Sequence, residues 1–423
     1  MPNLDLLGTT SRVETPYIKV TIGNYTFGVY QQGRKLQTSD QGVYELIDNK
    51  YPNYIHSLSI QKLNGAINTY TLTLVYPITE NNDPNYFEKV LSSVSKSRKI
   101  IFSYGDLSVP TYIYKDEEAL ITNVSSQLRN TSIIYNINAV SNAYKLNSTR
   151  YTFPATSERP SVIIRTLLDD VTYNLKEIFY GMKDSFNVDK YQLIPNDDQV
   201  VTLETQHCTV LDYLLYLVSS MVNVRDNIAQ DSKSFTKTVA YFLTVSDDTS
   251  GIFGGPYFKI NTIDTNISDI QSLNLYEINV GTLSKDIVMN FTIDDNQSYA
   301  ILYDYAETLT EDNLARRIDD NGNIYFVNAP SLRSNITNYK LTERERTWWT
   351  NMTSFPISAT LTLKGLLKPS ILMSYIKLNV YYYGHKHISS GIYAITKQVD
   401  TVDTNGFRTV LSLSRLKGDI IEY

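Results

Sequence analysis

Alternation of apolar and polar positions dominates the first third of the chain. Residues 17–30 (YIKVTIGNYTFGVY) alternate around Asn24 and predict a hairpin. Residues 54–78 (YIHSLSIQKLNGAINTYTLTLVYPI) predict a longer one, with Asn64-Gly65 as the turn between two alternating runs. Phe87, Val90, Leu91 and Val94 then fall at helical spacing, after Asp83 as N-cap and Pro84 in the first turn. Strands resume at 99–104, 111–114, 119–125 and 132–140. Residues 1–148 therefore predict a closed or nearly closed small β-barrel with one helix across it.

Within 149–272, residues 149–235 switch to helical period. Val162, Ile163, Leu167, Val171, Leu175, Ile178 and Met182 form one apolar stripe after Ser157 and Pro160. A second helix opens at Thr209, where Thr209 and Asp212 have the spacing of a capping box, and its stripe runs from Leu211 to Val222. Strands at 238–245 and 256–263 follow, so this stretch predicts an inserted helical or α+β domain. From 273 the alternation returns in LYEINVG and DIVMNFTID. An irregular, polar insertion occupies about 303–350, and four strands follow at 357–364, 375–383, 391–399 and 407–413. The last two bracket Asp403-Thr404-Asn405-Gly406, another Asn-Gly turn signal. Residues 273–423 thus predict a second β-barrel, and the fold class is β-rich α+β.

Composition narrows the function. The 34 Tyr, against 14 Phe and 2 Trp, suit pleated, half-buried surfaces and wide contacts. A single Cys, Cys208, excludes an intrachain disulfide framework and a Cys-rich zinc site. Four His (His56, His207, His385, His387) leave little room for a His-built metal centre. A net charge of −6 argues against a broad basic footprint and hence against specific nucleic-acid recognition. The longest apolar candidate for a membrane span, Val210–Val224, is interrupted by Asp212, Ser219 and Ser220. The start, MPNLDLLGTTSR, lacks the basic-then-apolar order of a secretory signal.

Each motif with chemical potential has a plainer reading. His385 and His387 lie two apart and would share a strand face, but no third ligand is identifiable. Asp319-Asp320-Asn321-Gly322-Asn323 offers oxygen ligands without the spacing of a calcium loop, and reads as a turn. Gly251, Gly254 and Gly255 sit between two strands, with no helix to complete a phosphate cradle. Asp169 and Asp170 are adjacent, so they do not face each other on a helix. His207 and Cys208 adjoin a helix start, where a thiolate could be favoured, but no third group orients the imidazole. No catalytic, metal or cofactor site is assigned, and the expectation is a protein that is not an enzyme. Trp348 and Trp349, after Glu343-Arg344-Glu345-Arg346, fit either a barrel plug or a subunit contact. Trp348, Trp349, Arg346, Tyr382 and Tyr383 are the candidate interface residues.

The two β regions echo each other. Placing Ile121-Thr122 on Ile395-Thr396 is an offset of 274 residues (395 − 121). The same offset puts Ile133 on Phe407, Ile137 on Leu411 and Ala139 on Leu413. Either the unit is duplicated, or two antiparallel hairpins simply look alike.

Two small barrels flanking an insert resemble the baseplate hub proteins of tailed bacteriophages, a family that covers late-control tail proteins and the hub part of type VI secretion spikes. The most specific segment runs from Gly365 to Asp419. It carries Ile376–Tyr383, Gly391-x-Tyr393-x-Ile395, and Gly406-Phe407-x-Thr409 leading into Leu411–Arg415. Trp348-Trp349, Met352 and Pro356 ahead of it are also similar. The resemblance implies two tube-protein-like antiparallel β-barrels per chain and a homotrimeric ring of six such barrels. That ring would adapt a six-fold tail tube to a three-fold spike and leave a central channel for DNA. The chain ends at Tyr423 without a fused spike, which implies a separate central spike protein. Further implied partners are the tail tube protein, baseplate wedge or periphery proteins and the tape-measure protein. The implied location is the virion tail baseplate, assembled in the bacterial cytoplasm. One rival is a β-rich receptor- or glycan-binding tail component; a second, a glycan hydrolase, needs a carboxylate pair that no motif proposes.

Overall fold

The computed structural model describes residues 16–30, 54–93, 98–106, 114–173, 175–178, 194–197, 200–221, 239–246, 257–264, 276–280, 288–295, 316–318, 324–326, 357–364, 372, 374–387, 389–403 and 406–418. Strands β1 (Pro16–Ile22) and β2 (Tyr25–Tyr30) form the first hairpin. Its turn needs Gly23, whose φ of 59° is left-handed. Strands β3 (Ile55–Leu63) and β4 (Thr69–Pro77), helix α1 (Tyr86–Ser93), and strands β5 (Lys99–Asp106), β6 (Tyr114–Leu128) and β7 (Ser132–Ser141) follow. The two strands expected at 111–114 and 119–125 are replaced by the single 15-residue β6, and 111–113 lie outside the described residues. Its length has a reason in pairing. The N-terminal half of β6 lies on β5, and its whole C-terminal half continues on β7.

The middle of the chain, where an inserted domain was expected from 149, holds α2 (Lys145–Ser148), β8 (Arg150–Phe153), β9 (Thr156–Glu158), α3 (Pro160–Asp169), α4 (Leu175–Ile178), β10 (Val201–Leu203), β11 (Gln206–Thr209), α5 (Val210–Ser219), β12 (Val239–Ser246) and β13 (Tyr257–Asp264). The single stripe expected from Val162 to Met182 is broken. Asp170 is extended (φ −77°, ψ 118°) and accepts the Thr172 N–H at 2.8 Å, so α3 stops at Asp169 and a 3-10 turn precedes α4. Met182 lies outside the described residues. Helix α5 opens as expected: the Thr209 hydroxyl accepts the Asp212 N–H at 3.2 Å and lies 2.7 Å from the Asp212 carboxylate. The N-cap of α3, Arg159, has no side-chain cap. Asp197, distant in sequence, does that work by accepting from the Ser161 N–H and hydroxyl.

The last region holds β14 (Tyr276–Val280), β15 (Val288–Asp295), β16 (Arg316–Ile318), β17 (Ile324–Phe326), β18 (Ile357–Lys364), β19 (Tyr375–Tyr382), β20 (His385–Lys386), β21 (Gly391–Asp403) and β22 (Gly406–Gly418). The last hairpin turns within Asp403–Gly406, where the turn was expected. Asp403 pairs with Gly406, so 404 and 405 make the connection and Gly406 begins β22 with φ 118°.

The expectation of two separate barrels meets one continuous sheet. Its strands run β15-β18-β22-β21-β3-β4-β7-β6-β5-β1-β2, with β19, β14 and β20 branching from β21. Pairing is antiparallel apart from β14 on β19, which is parallel. No pairing among the described residues closes the path, although β2 returns to touch β3. The described residues form three apolar cores. The first lies under β1–β7, where Phe87 of α1 packs among Phe27, Tyr54, Tyr76 and Tyr135 with ring centroids 4.9–5.8 Å apart. The second fills the insert, and the third lies between β14, β15, β18, β19, β21 and β22.

Candidate interface: two matching sheet units and their seam

The offset read from the sequence is repeated in the backbone. Strand order in the first unit is β3-β4-β7-β6-β5-β1, and in the second β15-β18-β22-β21-β19-β14. Each of the hairpins β6–β7 and β21–β22 carries a bulge. One skips Thr122, between pairs Ile121↔Ala139 and Asn123↔Asn138; the other skips Thr396, between Ile395↔Leu413 and Lys397↔Ser412. All these positions differ by 274 (395 − 121). The bulged threonines make the same bond: Thr122 Oγ1 donates to Asn138 O at 3.1 Å and Thr396 Oγ1 to Ser412 O at 3.1 Å. Ile121 N–H donates to Arg98 O, as Ile395 N–H does to Ser374 O. A bulge is a specific device that re-aims a strand, so two at matched positions with one satisfying bond decide between duplication and mere likeness of hairpins. A further bulge recurs at His56 in β3 and Met289 in β15. Strands β4 and β18 share Thr-Leu-Thr-Leu at 71–74 and 360–363, with all four leucines buried.

The units meet where β3 pairs antiparallel with β21, from Lys397↔Leu63 to Asp403↔Ser57. Val402 and Phe407 of the second unit are buried in the first unit's core, and Phe407 meets Tyr104 edge-on at 6.4 Å. A polar cluster crosses the same seam. Lys62 Nζ lies 3.6 Å from Asp400 Oδ2 and donates to the Tyr104 hydroxyl at 3.3 Å. Asp400 also accepts from Thr409 Oγ1 at 2.7 Å and Gln398 Nε2 at 2.9 Å. Glu117 accepts from the hydroxyls of Tyr70 and Tyr104. Burial pushes the Asp400 carboxyl up, while Lys62, Thr409 and Gln398 pull it back. Such a cluster is worth little as net stability but strongly disfavours wrong pairing, because any slip leaves a charge buried away from its partner. The insert keys onto this seam. Asn64–Asn68 is a five-residue connection rather than the expected two-residue turn, because the Gly65 N–H donates to Leu243 O of β12 at 2.9 Å.

The structure brings only part of the candidate set together. Tyr382 and Tyr383 stand at the β19–β20 hairpin tip. Tyr383 is fully exposed with φ 51°, and Tyr382 is half-exposed against His387 with ring centroids 4.6 Å apart. Trp348, Trp349 and Arg346 lie outside the described residues, as do Gly251, Gly254, Gly255 and Asp319–Asn323, the last between the paired β16 and β17. His385 and His387 do not form a ligand pair on one strand. The strand ends at Lys386, and His387 Nδ1 turns to Ser389, accepting its N–H at 3.2 Å. His207 Nδ1 bonds to Thr152 Oγ1 at 3.1 Å across β8 and β11. The Cys208 thiol is pushed up by burial, which disfavours a thiolate there. Asp170 is held below the usual range by its bonds to Thr172, as a turn-forming residue. Among the described residues, no group of three or more His, Cys, Asp or Glu is placed to hold a metal ion. No helix among them is long and apolar enough to cross a membrane.

Sequence reasoning missed Lys62 and Asp400. The signal was there: both sit on the inward phase of alternating strands, Lys62 after Leu58 and Ile60, and Asp400 two residues before Val402.

No family model matches the chain, and no curated protein matches it. Solved structures do. The 43 kDa tail protein of prophage MuSo2 from Shewanella oneidensis is 11% identical, with a TM-score of 0.48 over 95% of this chain and 98% of that one. A tail protein from Neisseria meningitidis MC58 is 8% identical, with a TM-score of 0.48 over 94% and 96%. The E. coli c3393 protein, a component of the type VI secretion system, is 8% identical, with a TM-score of 0.43 over 87% and 76%.

Proposed function

We propose that this chain is a structural component of a bacteriophage tail, the hub of its baseplate, and not an enzyme. The observation that carries the reading is the doubled sheet unit, with one strand order, matched bulges and a constant offset. A chain that holds two like units supplies an even number of similar surfaces from an odd number of copies. Three copies give six units on one face and three-fold symmetry on the other, which is what an adaptor between a six-fold tube and a three-fold spike requires. In this reading 1–148 and 273–423 curl into tube-protein-like barrels around a DNA channel, and 149–272 is an inserted domain. The partners are the tail tube protein, a separate central spike, baseplate periphery proteins and the tape-measure protein. Tyr382 and Tyr383, exposed at a hairpin tip, serve as partner contacts, together with Trp348, Trp349 and Arg346. The strand motif from Gly391 to Arg415 that carries the family resemblance forms β21 and β22, the hairpin at the seam. Mass in solution followed by an image of the particle tests the proposal. A three-copy ring is expected; a compact monomer at micromolar concentration, alone and with tail partners, overturns it.

A further inference from the structure

The second unit uses β21 twice along its length. Gly391–Ala394 pairs with β19, and Lys397–Asp403 pairs with β3 of the first unit. The first unit's counterpart of β21 is β6. Its N-terminal part pairs with β5 up to Leu120, in the same way. From Asn123 to Leu128, however, it pairs among the described residues with β7 alone. The counterpart of β3 is β15, which among the described residues pairs only with β18. One contact of the repeat is therefore satisfied inside the chain, and the matching pair of edges has no partner strand among the described residues.

Exposure follows the same division. Val402, on the satisfied edge, is 0% exposed in the neighbouring unit's core, while its counterpart at the offset, Leu128 (402 − 274), is 74% exposed. Phe407 is buried, and its counterpart Ile133 is only partly so. On β15, Met289 and Ile293 are 52% and 38% exposed. Ile60, the counterpart of Ile293, is fully buried. A long edge with apolar side chains standing in water invites pairing with another strand.

We infer that β15 of one copy pairs antiparallel with the C-terminal half of β6 of a second copy, in the register that β3 keeps with β21. Carrying Val402↔Leu58 across the repeat sets Leu128 opposite Phe291, and Asp400↔Ile60 becomes Ser126 opposite Ile293. Leu128 then enters the neighbour's second-unit core beside Val288 and Phe291, as Val402 enters the first. The two edges are different patches, so the contact is head-to-tail, and under the hub reading it closes into a ring. The buried ion pair is not repeated, because Asp400 and Lys62 correspond to Ser126 and Asp295. The seam between copies is thus more apolar than the seam within one, and separable without unfolding. The count of three rests on the hub reading; the strand pairing rests on the register alone.

Cysteines test the register. In a Cys208→Ser background, Leu128→Cys with Phe291→Cys places two thiols at a cross-strand pair, where Cα atoms about 4.5–5.5 Å apart suit a disulfide. Oxidation is expected to give covalent multimers on a non-reducing gel, ending in a closed ring. Neither single variant, nor Leu128→Cys with Thr292→Cys, whose thiol points to the opposite face, should do so. Leu128→Asp changes an exposed side chain within the single chain, so its circular dichroism and melting should match wild type while assembly weakens roughly tenfold or more. Unlinked 128/291 cysteines, or an unaffected ring in the Asp variant, overturn the seam but leave a trimeric hub standing. Linked rings of another size keep the seam and remove the trimer. A monomer that never cross-links overturns both.

Discussion

Lys62 and Asp400 are charged residues at positions an alternating strand reserves for leucine, and their burial ties them to each other. Replacing Asp400 with Ala keeps the Lys62 ammonium buried and removes its carboxylate. The expected loss is roughly 3–5 kcal/mol in urea unfolding. A loss under about 1 kcal/mol for the single variant would mean the pair adds nothing to the seam. Asp197 acts differently, as a remote cap on α3. Burial holds its carboxyl above the usual value, against the pull of its bonds to Ser161. Because the folded value exceeds the unfolded one, the contribution is full below the ordinary carboxylate pKa of about 3.9 and is lost as pH rises through the raised value. The difference in melting temperature between wild type and Asp197→Asn should therefore shift in favour of Asn as pH rises from about 3.5 to 7. A difference flat in pH would refute the raised carboxyl. Neither residue was legible as a partner, since alternation reports which positions face inward and not which distant strand meets them.

Elements were more readable than contacts. Strand β18 is found at the expected 357–364, and the cap of α5 falls on Thr209 as its spacing requires. Errors came where tertiary contact overrode a local signal. Asn64-Gly65 is a strong two-residue turn in isolation, but docking on β12 lengthens it to five residues. Gly65 keeps a left-handed φ of 67°, and a Cβ there would sit 3.5 Å from Leu215, an ordinary contact. The cost of Gly65→Ala is then conformational rather than steric, about 1–2 kcal/mol. Gly65→Asn should recover much of it, because Asn tolerates this region. Thermal melts of the pair decide the matter: equal destabilisation by Ala and Asn would point to a clash instead. The apolar stripe beyond α3 misled for a similar reason, because the Asp170 side chain offers the backbone a turn that competes with helix.

For the whole molecule, the offset of 274 residues was visible in a few matched positions (395 − 121), but its meaning was not. Identity between the halves is slight, and the shared bulges that settle the matter are backbone events with no residue signature of their own. That β3 joins β21 and makes one sheet of both units is likewise silent in the sequence, because pairing partners far apart leave no periodic trace. The net charge of −6 bears on the proposed channel. A lumen that passes DNA without holding it should carry more Asp and Glu than Lys and Arg. The assembled protein is expected to leave duplex DNA unshifted on a gel even at low salt. Tight binding that fades with salt would instead indicate a DNA-gripping role.

The parallel pairing of β14 with β19 has a mechanical side. In the first unit the equivalent place beside β5 is taken by antiparallel β1, which belongs to a local hairpin. In the second it is taken by the strand that follows the insert directly in the chain, with Tyr276–Val280 laid along Ile376–Val380. A tug on the insert therefore pulls β14 lengthwise, loading its ladder bonds together in shear, while β1 and β2 would peel open one bond at a time. Force arriving at the insert should thus be resisted by the second sheet first, and under stretching the hairpin at the start of the chain should be the earlier to yield.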